Sequence, residues 1–104
     1  MDSDFKMNIL KTNDGKTMTA ELVGEVDSMN VTEIEETLLK EINNVTELIF
    51  DLSKLEYISS AGLRVLLQMQ KMMKSQGNMT IKNVNEEVME IFKVTGFVRL
   101  LNIV

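Results

Sequence analysis

The chain has 104 residues, 44% hydrophobic and 26% charged, with no proline, cysteine, histidine or tryptophan. Surface scaling at this size buries roughly two thirds of the unfolded chain's surface, enough for a core without staples. Without histidine there is no Ser-His-Asp relay or imidazole metal site, and without cysteine no thiol nucleophile, zinc knuckle or disulfide. No catalytic residue, metal or cofactor is expected.

Sixteen acidic residues against eleven basic ones leave a net charge of −5, which opposes the counterion release that drives nucleic-acid binding. Residues 1–10 lack the basic start and long apolar run of a secretory leader, and nothing approaches the roughly 18 apolar residues of a membrane span. The expectation is one cytoplasmic domain over residues 1–104, monomeric when free, with no nucleic-acid or membrane partner. The charge is uneven. Between Glu21 and Glu47 stand eight acids and one base, Lys40; between Tyr57 and Asn85 stand four bases, Arg64, Lys71, Lys74 and Lys82, and no acid.

Phe5, Met7 and Ile9 alternate with polar residues, and Asn13-Asp14-Gly15-Lys16 supplies residues that tolerate a tight reversal. A hairpin is predicted, its second arm running from Thr17 to Val26 with Met18, Ala20 and Leu22 on one face. Gly24 marks a bulge or close backbone approach. Asn30 with Glu33 three residues on resembles a capping box, and Val31, Ile34, Leu38 and Ile42 recur at helical spacing. Leu48 to Leu52 is a short apolar run, as in a strand buried on both faces of a parallel sheet.

A second helix follows Ser59-Ser60-Ala61-Gly62 and runs to about Lys74, with Gly77 placed as a left-handed cap. Met79 to Val84 is a strand candidate. Asn85 opens a third helix carrying Val88, Ile91 and Phe92 and closed by Gly96, before a last short strand or tail from Leu100 to Val104. The order β-β-α-β-α-β-α-(β) describes an α/β domain with a mixed sheet of four or five strands: an N-terminal hairpin, then parallel crossovers, with three helices.

The segment Asp51-Leu52-Ser53-Lys54-Leu55-Glu56-Tyr57-Ile58-Ser59-Ser60-Ala61-Gly62-Leu63-Arg64-Val65-Leu66-Leu67 resembles the signature of the STAS family, which includes bacterial anti-sigma factor antagonists. Gly24-Glu25-Val26-Asp27 is similar to the family's Gly-Glu-Leu-Asp stretch at the end of the second strand, and Val94-Thr95-Gly96-Phe97 to its Thr-Gly-Leu stretch after the third helix. The resemblance implies a STAS fold and a regulatory, non-enzymatic role. The unmodified antagonist holds an anti-sigma factor that is also a serine kinase; phosphorylation of a serine releases it, and a serine phosphatase would reset the switch. The family's serine follows an aspartate and precedes the helix glycine by two positions. Gly62 is the matching glycine, so the resemblance implies Ser60, with Ser59, standing where many members have aspartate, as runner-up.

Independently of family, a serine between a strand and a helix reads first as an N-cap worth about 1 kcal/mol. On the helix that follows, Val65, Leu66, Met69, Met72 and Met73 cluster with Gly62, whereas Leu67 lies beside Arg64, Lys71 and Lys74, with Leu63 on the border. Ser59, Ser60, Gly62, Leu63, Arg64 and Leu67 form the expected partner surface, bordered by Asp27, although an aspartate after a strand and shortly before a helix is more often a turn or cap residue. Four alternatives stand beside this reading, among them a phosphoacceptor receiver domain, against which about five strands and the lack of an adjacent acidic pair at an early strand end argue. Another is a STAS subunit of another signalling or lipid-transport assembly, without phosphorylation. A serine nucleophile lacks a histidine base. Nucleotide binding lacks both glycine-rich fingerprints.

Overall fold

The computed structural model describes residues 5–104. Residues 1–4, which the single-domain reading and the reading of residues 1–10 include, lie outside the described residues. The elements are β1 (Lys6–Thr12), β2 (Thr17–Val26), α1 (Val31–Glu41), β3 (Glu47–Asp51), β4 (Leu55–Ile58), α2 (Ser60–Met73), β5 (Asn78–Lys82) and α3 (Glu86–Thr95), followed by a 3-10 turn over Phe97–Arg99. The α/β order is as predicted, with one addition. Leu55–Ile58 forms a separate strand that no alternation announced, because only its two ends are buried.

The β1–β2 hairpin closes through Asn13, Asp14 and Gly15, all with positive φ, as residues with short polar or no side chains allow. The sheet runs β1-β2-β3-β5, antiparallel at β1–β2 and parallel thereafter, while β4 pairs in parallel with the far end of β2. Thr17–Glu21 of β2 align with β3, and Gly24–Val26 with β4. The register shifts between Gly24 and Glu25, and Gly24 has φ of 96°. The bulge expected at Gly24 is therefore present, and it lets one strand serve two partners.

The strands advance in one direction, β2 to β3 to β5, and right-handed crossovers then put the intervening helices on one side. Burial agrees. Met18, Ala20, Leu22, Leu48, Phe50, Met79 and Ile81 are buried on alternate positions, whereas Thr19, Ile49 and Thr80 lie in register on the opposite face and are half-buried. The expectation that the central strand is buried on both faces is thus corrected: one face of the sheet is left open to solvent.

Two helix ends differ from expectation. Asn30 precedes α1 but makes no side-chain cap bond, so no capping box forms with Glu33. Gly77 does not adopt a left-handed conformation. It is needed for a different reason: a Cβ there would lie 1.9 Å from the Thr46 carbonyl oxygen. The Gln76 side chain beside it donates to the carbonyls of Ile42 and Val45 at 2.9 and 2.7 Å, satisfying acceptors at and just beyond the end of α1. Asn85 caps α3 by accepting from the Val88 N–H at 2.9 Å and donates to the Leu55 carbonyl at 2.6 Å, tying α3 to β4. Gly96 closes α3 with φ of 83°. At the C-terminus, Ile103 bridges Ile81 in parallel, and the Gln70 side chain donates to the Leu100 carbonyl and accepts from the Asn102 N–H. The tail thus forms an isolated bridge where a further strand was one of two expectations.

Candidate partner-binding and modification site

The site lies where β2 and β4 end side by side. The Ser59 N–H donates to the Val26 carbonyl at 2.8 Å, which sets the start of α2 against the turn that follows β2. Ser59 is extended (φ −79°, ψ 170°), and its Oγ accepts from the Gly62 N–H at 3.2 Å. Its carbonyl accepts the first helical bond, from Leu63, at 2.9 Å. This is the geometry of an N-cap, and it commits the Ser59 hydroxyl to the helix.

Ser60 is the first helical residue and is exposed. Its hydroxyl makes no hydrogen bond to any described residue. The two adjacent serines therefore differ in kind: one oxygen holds the helix end together, and the other belongs to an exposed residue in the first turn, beside the positive pole of the helix.

Gly62 is buried, and a Cβ on it would stand 2.7 Å from both Ile58 Cγ1 and Val26 Cγ1. The first turn of α2 sits directly on the two strand ends, and this close approach fixes how far Ser60 projects. Leu63 is 1% exposed. It packs in the core rather than on the border of the expected partner surface, and Gly62 has no side chain to present there. Met72, grouped above with the core stripe, is 38% exposed. Helical azimuth ranks residues on an isolated cylinder, but burial depends on what packs against each turn. Arg64 is exposed and Leu67 half-buried, packed against the core edge.

Asp27 lies in the turn between β2 and α1. Its Oδ1 accepts from the N–H groups of Met29 at 2.9 Å and Asn30 at 3.1 Å. Asn30 answers through Oδ1, which accepts from the Asp27 N–H at 3.0 Å, and through Nδ2, which donates to the Glu25 carbonyl at 2.9 Å. The polar residues that looked like a helix cap instead brace the turn next to the serines. At its tip Met29 is 89% exposed. The sequence reading passed it over, although an apolar residue amid Asp27-Ser28 and Asn30, off the stripe of α1, is a legible signal. Among the described residues no group of three or more Asp or Glu side chains is placed to hold a metal ion, and no helix is long and apolar enough to cross a membrane.

The sequence profile of the STAS domain matches residues 8–104. The chain belongs to the STAS domain family. This STAS domain is 35% identical over 81 residues to BtrV of Bordetella bronchiseptica, assigned as an anti-sigma factor antagonist, a match covering 76% of this chain and 70% of that protein. Its fold is that of solved antagonists. The crystal structure of an anti-sigma factor antagonist from Mycobacterium paratuberculosis superposes with a TM-score of 0.84 at 15% identity, covering 96% of this chain and 85% of the other. The antagonist SpoIIAA in its unphosphorylated form gives 0.77 at 20% identity, covering 96% and 87%. The phosphorylated form of this Bacillus cell-fate determinant gives 0.69 at 19%, covering 96% and 90%. The five-stranded mixed sheet with three helices is therefore a SpoIIAA-like fold.

Proposed function

We propose that this STAS domain is an anti-sigma factor antagonist that works as a partner switch in the cytoplasm. It binds, as a free monomer, an anti-sigma factor with serine kinase activity, and phosphorylation of Ser60 ends the complex. The observation that carries the reading is the division of labour between neighbouring hydroxyls: Ser59 Oγ is engaged by the Gly62 N–H, and Ser60 is exposed. In the transfer the Ser60 oxygen attacks the γ-phosphorus of ATP. The new O–P bond forms as the bond to the β–γ bridging oxygen breaks, ADP leaves, and the serine proton passes to a base on the kinase.

The energetics favour a switch that leaves the fold alone. A phosphoserine carries about −1.5 to −2 charges, and a helix N-terminus favours an anion by roughly 0.3–1 kcal/mol. A partner seated over the same spot without matching donors faces a buried unpaired charge costing about 3–5 kcal/mol, a hundredfold to several-thousandfold loss of affinity. The exposed surface around Ser60 supplies the docking elements: Met29 and the braced Asp27 turn on one side, Arg64 and Leu67 on the other.

The deciding experiment is incubation with an anti-sigma serine kinase and ATP, followed by intact mass, site mapping and a binding measurement on the product. One phosphoryl group on Ser60, absent in Ser60→Ala, with loss of the complex, is expected. A complex that forms without any transfer, or that survives a fully phosphorylated Ser60, overturns the reading.

A further inference from the structure

Ser60 and Arg64 stand four residues apart on α2, so their Cβ atoms share one face about 5–6 Å apart. Both are exposed. Arg64 makes no ion pair with any described residue, and the chain has no acid between Tyr57 and Asn85 to compete for it. The acid-first, base-fourth order is the favourable orientation for an intrahelical pair. The elements flanking the first turn carry carboxylates, Asp27 in the β2–α1 turn and Glu56 on β4. Neither offers a cation. The next base on the helix, Lys71, lies eleven residues from Ser60, about 16 Å along the axis, beyond the screening length of about 8 Å at physiological salt.

The geometry points to Arg64 as the internal receiver of the phosphoryl group: phosphoserine at position 60 folds back onto the Arg64 guanidinium and forms an ion pair within α2. This rests on the reading of Ser60 as the modified residue. A guanidinium matches phosphate oxygens through paired N–H donors. The pair holds the dianion against the chain's own helix, and it withdraws from the partner surface the cation closest to the serine. Modification then changes two docking features with one bond.

The test installs phosphoserine at position 60 by co-translational incorporation, so no kinase is needed, and follows the second phosphate ionisation by phosphorus NMR. An isolated phosphoserine titrates near pH 6. With Arg64 present the midpoint is expected about 0.3 pH unit lower than in Arg64→Gln, the shift that a helical i, i+4 pair produces. Lys71→Gln is expected to leave the midpoint at the wild-type position. Identical titrations in wild type and Arg64→Gln overturn the ion pair. A kinase that fails to modify Ser60 overturns the proposed function instead and leaves this titration unaffected, so the two failures are told apart.

Discussion

Asp27 and Asn30 hold each other across the β2–α1 turn, each side-chain oxygen accepting the other's backbone N–H, at 3.0 and 3.1 Å. The bond pair sets the turn beside Ser59 before any partner arrives. Asp27→Ala removes the acceptor for two amides and is expected to cost about 1 kcal/mol, lowering Tm by about 4–8 °C for a domain of this size. Affinity for the anti-sigma factor should fall roughly tenfold, because ordering the turn then weighs on binding. Thermal melts and a titration with the partner check both; an unchanged Tm with full binding contradicts the bracing role.

The serines should separate cleanly under mutation. Ser59→Ala loses the cap and about 1 kcal/mol of stability, yet keeps phosphate uptake at Ser60. Ser60→Ala changes stability by less than about 0.5 kcal/mol, as exposed substitutions do, and abolishes uptake. Urea denaturation with phosphate mapping on both variants measures the two effects side by side, and the reverse pattern would exchange the roles.

Leu63 and Leu67 make a second contrasting pair. Leu63→Ala empties a core position and is expected to cost about 2–5 kcal/mol, with partner binding following the folded fraction. Leu67→Glu sits at the half-buried edge of α2 and is expected to weaken partner binding at least tenfold while the protein stays folded. Binding isotherms on the folded variants decide the matter; wild-type affinity in Leu67→Glu removes that residue from the docking surface.

Glycine substitutions test the close approaches. Gly62→Ala forces a Cβ to within 2.7 Å of two branched side chains, which overpacking costs put at about 1–3 kcal/mol. Gly77→Ala meets the Thr46 backbone carbonyl, which cannot swing aside, so its loss of Tm should exceed that of Gly62→Ala. Paired melts rank the two.

Acid stability should depend on Asp51. Burial acts most strongly on this carboxyl and raises its pKa. The Ser53 N–H, the Asn83 and Ser53 side chains and the charge of Lys82 together outweigh that, leaving it below the ordinary value. A folded pKa below the unfolded one means that ionised Asp51 stabilises the fold above about pH 3.9, the unfolded value. That contribution disappears as pH falls through the depressed folded value. The difference in urea midpoint between wild type and Asp51→Asn should be constant from pH 7 to pH 5 and shrink below about pH 4; a difference that grows on acidification would reverse the sign.

Much of the architecture was legible because local chemistry and tertiary packing agree. Asn13-Asp14-Gly15 demand a tight reversal wherever they occur, and Asn85 and Gly96 cap α3 by their own side-chain or backbone properties. The failures fall where a distant segment decides. Leu55–Ile58 is a strand through its pairing with the far end of β2, across the register shift between Gly24 and Glu25. Gly77 answers to Thr46, thirty-one positions earlier, and the fate of Asn30 was settled by Asp27 rather than by Glu33. At the candidate site, sequence could mark the serine pair but not apportion it, since the cap bond from Gly62 exists only once α2 is seated on Val26 and Ile58.

Strand β2 gives its first half to β3 and its last three residues to β4, which divides the molecule into two regions of unequal permanence. Amide protons of Met18–Ala20 in β2 and Leu48–Phe50 in β3 sit in the middle of a four-strand ladder and are expected to exchange with deuterium only when the whole chain opens. Those at Ile58 and Ser59 hang on a three-residue seam and are expected to exchange through local breathing. Under the proposed switch, a kinase drawing Ser60 into its own cleft would meet it on the corner expected to loosen first.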